Sequence, residues 1–138
     1  MRLLALPPPA PGTASSAAGA VTFGAVGCAE CHQPTMQTGA SATPALAHKE
    51  FALYSDLLLH DMGLLADGIA QGDARMREMR TAPLWGLRMR HPFLHDGRAP
   101  TLDAAIRAHD GEAAIVRDRY LALPPDEQRQ LRDFLQTL

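Results

Sequence analysis

The 138-residue chain is poor in several things that would each direct its reading. Cysteine occurs only at Cys28 and Cys31, which rules out a disulfide framework and a four-cysteine zinc site within the chain. Aromatic residues make up 5%, with Trp85 the single tryptophan, so a core made of side chains alone would be lean. Lysine appears once, at Lys49, and arginine carries the rest of the positive charge. With a formal net charge of −2 there is no basic footprint for nucleic acid or an anionic membrane, and no nucleic-acid partner is expected. No apolar run approaches the roughly 18 to 20 residues of a membrane helix, so no membrane span is expected. The apolar start at residues 3–6 is cut off by Pro7-Pro8-Pro9, short of the roughly 7 to 15 apolar residues of a signal peptide. No export address is therefore visible. Internal repeats, a Ser-His-Asp triad and a phosphate loop are also missing.

Both cysteines fall in one pentapeptide, Cys28-Ala29-Glu30-Cys31-His32. Cys-x-x-Cys-His is the attachment signature of c-type haem. Each thiol can add across one porphyrin vinyl group, and the adjacent histidine is then held beneath the iron as proximal ligand. A thioredoxin-like dithiol would want a strand-helix-strand context, which the flanking sequence does not offer. A zinc site would need two further ligands at matched spacing, and only scattered histidines could supply them. One covalent haem c is the expected cofactor, and its apolar plate would fill a core short of aromatics. Because c-type haem is normally attached outside the bacterial cytoplasmic membrane, the chain is expected to be a fragment of an exported protein, to have a misplaced start, or never to receive haem.

Residues 1–14, dominated by proline, alanine, glycine and serine, read as a flexible arm, and residues 15–138 as one domain. A helix is predicted from about Ser15-Ser16 to Val26, ended by Gly27 just before the haem motif. Residues 33–53 read as loop. Residues 54–63 contain a short apolar stretch that periodicity cannot assign to strand or helix. Residues 64–79 read as exposed irregular structure, and Pro83 favours a bend or short helix after it. The clearest helix runs from Pro100 to His109, with Thr101 as N-cap, Asp103 in the first turn, and Leu102, Ala105, Ile106 and His109 on one face. Further helices are predicted from Glu112 to about Ala122 and from Pro124-Pro125 onward, the last burying Leu131, Phe134, Leu135 and Leu138. The expected class is all-α, a cytochrome c-like domain with long irregular loops.

Several blocks in order carry a more specific likeness: Tyr54-Ser55-Asp56 through His60-Asp61-Met62-Gly63, Arg80-Thr81-Ala82-Pro83-Leu84-Trp85-Gly86-Leu87, and Phe93-Leu94-His95-Asp96-Gly97-Arg98 through His109-Asp110-Gly111-Glu112-Ala113. With the haem motif they make the chain resemble, over about residues 15–138, the di-haem oxidoreductases also described as thiol oxidoreductases, relatives of the bacterial di-haem cytochrome c peroxidases. The likeness is to the C-terminal haem domain. It implies a cytochrome c-like fold, a periplasmic location and an electron-transfer or peroxidase-type role. Members carry two haem domains, and one Cys-x-x-Cys-His holds one haem, so the chain is expected to lack the N-terminal haem domain. A redox protein or a second haem domain is the expected partner. The alternatives are a mono-haem peroxidase with an open iron site and a truncated fragment without activity.

The resemblance also bears on the sixth ligand. In the related peroxidases a methionine follows the His-x-Gly and Thr-Leu motif on a helix, and the matching position here is His109. Its place on the apolar face of that helix agrees with ligation, and His32 and His109 are the expected iron ligands. Met62, Met76, Met79 and Met89 remain alternatives, each equally suited to filling gaps in a small core. Arg80 opens a shared motif and suits a haem propionate through its planar fork, although a solvated basic face explains it equally well. Trp85 is expected against the porphyrin edge, with relay to a second haem as a lesser option. His95 is expected near the haem in a tight turn, without assigned chemistry.

Overall fold

The computed structural model describes residues 9–138, and residues 1–8 of the expected arm lie outside the described residues. Ala10 N–H donates to the Thr137 carbonyl at 2.8 Å. Helix α1 spans Ala14–Val26, one or two residues earlier than the composition suggests, because Thr13 and Ser16 cap it reciprocally: Ser16 N–H donates to the Thr13 hydroxyl, and Thr13 N–H to the Ser16 hydroxyl. Gly27, at φ 102°, ends the helix in the left-handed region that favours glycine, and turns the chain straight into the cysteine motif.

Four short strands form two antiparallel pairs in the long loops: β1 (Met36–Gln37) with β2 (Glu50–Phe51), and β3 (Leu59–Asp61) with β4 (Glu78–Arg80). The stretch left open between strand and helix is therefore irregular over residues 54–58 and a short strand over Leu59–Asp61. Helix α2 covers Leu102–Arg107, capped by the Thr101 hydroxyl on Ala104 N–H. It is shorter than predicted, and His109 lies beyond its C-cap. A 3₁₀ turn at Gly111–Ala113 leads into α3, Ala114–Ala122, and α4 spans Pro125–Leu135. The fold is predominantly helical with long loops, as expected. No helix among the described residues is long and apolar enough to cross a membrane.

The core lies where α1 crosses α4. Phe23, Val26, Leu87, Tyr120, Leu131, Phe134, Leu135 and Leu138 form one buried cluster, in which all four inward positions read from the last helix take part. Phe23, Tyr54 and Phe134 meet edge-on, with ring centroids 5.4 to 6.0 Å apart, so the few aromatics are concentrated beside the haem motif. Tyr120 is fully buried, its hydroxyl donating to Asp103 at 2.7 Å and accepting from Arg132 at 2.6 Å. These two bonds tie α3 to α2 and to α4.

The crossing depends on Gly19, where an added Cβ would come within 1.9 Å of the Gln130 carbonyl oxygen in α4. Backbone cannot yield as a flexible side-chain end can, so Gly19→Ala must push the helices apart. A loss of about 2 to 3 kcal/mol is expected in chemical denaturation of the haem-loaded protein, against a gain of about 0.5 kcal/mol for Gly24→Ala, whose site in the same helix is open.

Candidate haem site

The five-residue motif forms a compact turn. Residues Cys28–Glu30 make one 3₁₀ turn after Gly27, and His32 N–H closes it on the Cys28 carbonyl at 2.9 Å. Residues 54–56 run alongside, with Ser55 N–H on the Gln33 carbonyl at 3.0 Å and Asp56 N–H on the Cys31 carbonyl at 2.8 Å. Tyr54 adopts φ 55° and Leu57 φ 61°, conformations costly for residues with a side chain. The bend at Tyr54 has a use: its carbonyl receives His32 Nδ1 at 3.1 Å. A carbonyl can only accept, so Nδ1 carries the hydrogen and Nε2 keeps its lone pair for a metal. Burial pushes the His32 imidazole down to about 4, which keeps it neutral at physiological pH. Burial also raises Cys28 to about 11 and raises Cys31, a penalty on thiolates that an uncharged thioether does not meet.

Facing His32 is His109. The ring centroids are 6.4 Å apart and the planes are inclined at 58°. His109 Nδ1 donates to the Ala105 carbonyl at 2.8 Å, so its Nε2 is likewise left as an acceptor, and burial lowers its pKa. Two imidazoles bound to one metal through Nε2, with bonds of about 2 Å, have centroids about 6 Å apart. The donor set and its spacing fit a haem iron between these rings. Arg117 on α3 secures this side, donating to the His109 carbonyl at 2.9 Å and to Asp110 Oδ1 at 3.2 Å.

The other sequence candidates are more dispersed. Arg80 is exposed on β4, its guanidinium on the Leu57 carbonyl. Trp85 is half-buried, and its carbonyl accepts from Arg90 at 3.4 Å. His95 is exposed in a turn where Asp96 binds the backbone and guanidinium of Arg98. Met76 and Met89 are exposed, whereas Met62 and Met79 are half-buried. Among the sixth-ligand candidates, His109 packs its ring against His32.

Sequence reasoning left His60 without a role. Its Nε2 donates to Asp56 Oδ2 and its Nδ1 to Glu112 Oε2, both at 2.9 Å, and Cys31 Sγ lies 3.9 Å from Nδ1. Cys31, Asp56 and His60 lie close enough together to hold a metal ion, yet both histidine nitrogens already face carboxylates, and the haem motif claims Cys31. The bond to Glu112 raises His60 above the ordinary histidine range; partial burial opposes this and Asp56 adds to it. Glu112 is held low by the Asp61 N–H and by His60. Asp56 is also held low: burial opposes, but the Leu58 N–H and His60 outweigh it. Both carboxylates thus stay ionised while His60 titrates. The stabilisation from the charged imidazole is full below the unfolded value of about 6.5 and is lost as pH rises through the raised folded value. The melting temperature of the haem-loaded protein should therefore exceed that of His60→Gln by more at about pH 6 than at about pH 9. A gap independent of pH would contradict this ion-pair assignment.

Comparison with known proteins agrees with these features. A family model described as "Di-haem oxidoreductase, putative peroxidase" matches residues 3–138. No curated protein matches the chain. Among solved structures, a chain of hydrazine synthase from Kuenenia stuttgartiensis is similar, with 22% identity and a TM-score of 0.60, covering 91% of this chain and 46% of that one. That likeness concerns the fold, and this chain spans less than half the length of that neighbour. The haem motif and the family match together assign Cys28, Cys31 and His32 as the attachment site of a single covalent c-type haem. The chain belongs to the di-haem oxidoreductase family.

Proposed function

We propose that this chain is a bis-histidine electron-transfer domain, with His32 and His109 as the two axial ligands. The observation that carries this reading is the pair of facing imidazoles, 6.4 Å between centroids, each with Nδ1 tied to a backbone carbonyl. The haem supplies a one-electron ferric/ferrous couple when bound. Cys28 and Cys31 anchor it, and His32 enters as a neutral ligand already oriented by Tyr54. His109, held by Ala105 and Arg117, occupies the side from which a peroxide would approach, so the domain passes electrons and does not bind substrate at its own iron. Arg80, anchored on the Leu57 carbonyl, would offer its guanidinium to a propionate, and the half-buried Trp85 would pack at the porphyrin edge.

The electrons go to or come from a redox protein or a second haem domain, in keeping with a di-haem family and one attachment motif. Leu58, Leu64, Ile69 and Met76, on and around the β3–β4 hairpin, are exposed and would suit such an apolar contact. Residues 75–90 are rich in arginine and would steer an acidic redox partner; Arg77 is offset by its pairing with Asp61, whereas Arg90, on the neutral Pro83 carbonyl, keeps its charge for that task. The working location is the periplasm, outside the membrane where c-type haem is attached.

Exchanging the distal ligand tests this reading. A thioether favours ferrous over ferric iron more than an imidazole does, so His109→Met should raise the midpoint potential on the order of 0.1 V and change the visible spectrum. An unchanged spectrum and potential would remove His109 from the iron.

A further inference from the structure

The two halves of the haem site come from segments far apart in sequence, residues 28–32 and 105–109, and something must hold them in register. Residues 109–112 press against residues 61–64 so closely that a Cβ on Gly111 would lie 2.2 Å from the Asp61 carbonyl oxygen, and one on Gly63 2.4 Å from Asp110 Oδ2. Asp110 accepts from Leu64 N–H at 3.0 Å, and Glu112 accepts from Asp61 N–H at 3.0 Å. On the proximal side, Asp56 N–H is bound to the Cys31 carbonyl at 2.8 Å. His60 joins the two sides, with one nitrogen on Asp56 and the other on Glu112.

We propose that His60 and Glu112 are positioning residues for the distal ligand, forming a strap that ties the turn following His109 to the haem-attachment segment. This rests on the bis-histidine reading. His60 and Glu112 bond to each other, to Asp56 and to Asp61 rather than to the two facing imidazoles, so the strap acts through the backbone. The bonds made by His60 and Glu112 have carboxylate acceptors, the stronger kind of hydrogen bond, and the last link to the attachment segment is Asp56 N–H on the Cys31 carbonyl. Cutting it leaves Arg117 and the Asp110 contact in place, so the turn loosens without losing its fold.

In the ferrous haem-loaded protein, carbon monoxide must wait for His109 to leave the iron, and its association rate reads how often the distal turn opens. Glu112→Ala, which frees both His60 and Asp61 N–H, should speed association about tenfold, His60→Ala, which leaves the Asp61 bond in place, should speed it about fivefold, and the double variant should be no faster than Glu112→Ala, because His60 reaches the distal turn through Glu112. Glu112→Gln keeps an acceptor for Asp61 N–H but exchanges a charged bond to His60 for a neutral one, and should speed association about threefold. If the alanine variants fail to fold, acceleration in Glu112→Gln supports the strap and its absence overturns it. Unchanged association rates with lowered melting temperatures would reveal a merely structural role and overturn the strap alone. An iron that binds carbon monoxide freely in the unsubstituted protein would overturn both the strap and the bis-histidine reading.

Discussion

Two hydrogen bonds from imidazole Nδ1 to backbone carbonyls, one on each side of the haem site, set what the rest of the molecule has to provide. His32 donates to Tyr54 and His109 to Ala105. Each bond fixes a tautomer, leaves Nε2 bare and limits rotation of the ring, which is how outer contacts ordinarily prepare a histidine for a metal. Neither acceptor is free to wander. Ala105 is buried in α2, and Tyr54 is held by a conformation costly enough to need support from Ser55, whose buried hydroxyl donates to the Thr81 carbonyl at 2.8 Å.

That requirement explains the economy of the fold. With few aromatics available, Phe23, Tyr54 and Phe134 gather next to the motif, and the α1–α4 crossing places the end of α1 so that Gly27 delivers Cys28 at a fixed point. The loops are long but not loosely attached. Short strands, the Asp110 and Glu112 carboxylates and the Asp56 to Cys31 contact bind them to each other and to the attachment turn. Burial then does the electrostatic part, pushing the pKa of both facing histidines down and so favouring their neutral forms.

Much of this was legible in the sequence wherever a local rule governs. The haem motif, the glycine stop after α1, the Thr101 cap and the apolar stripe of α4 each depend on neighbours a few residues away, and each is where local chemistry puts it. His109 came from its match to the ligand position of the related peroxidases, with its helix face in agreement, although the helix ends before it and the ring reaches back to Ala105 from beyond the cap. The roles of His60, Glu112 and Arg117 were not legible. His60 and Glu112 are 52 positions apart, and nothing local to either announces the other. Arg117 looks like any solvated helix arginine until α3 folds back on the turn carrying His109. The carbonyl of Tyr54 was equally hidden, because a backbone acceptor has no residue type to mark it.

The near-infrared and visible spectrum of the oxidised protein, matured with its haem, tests the central claim most directly. Two neutral imidazoles on one iron give low-spin bands without the charge-transfer features of sulfur ligation. High-spin bands, or a sulfur charge-transfer signature, would show that His109 does not face His32 across the iron and would contradict the account.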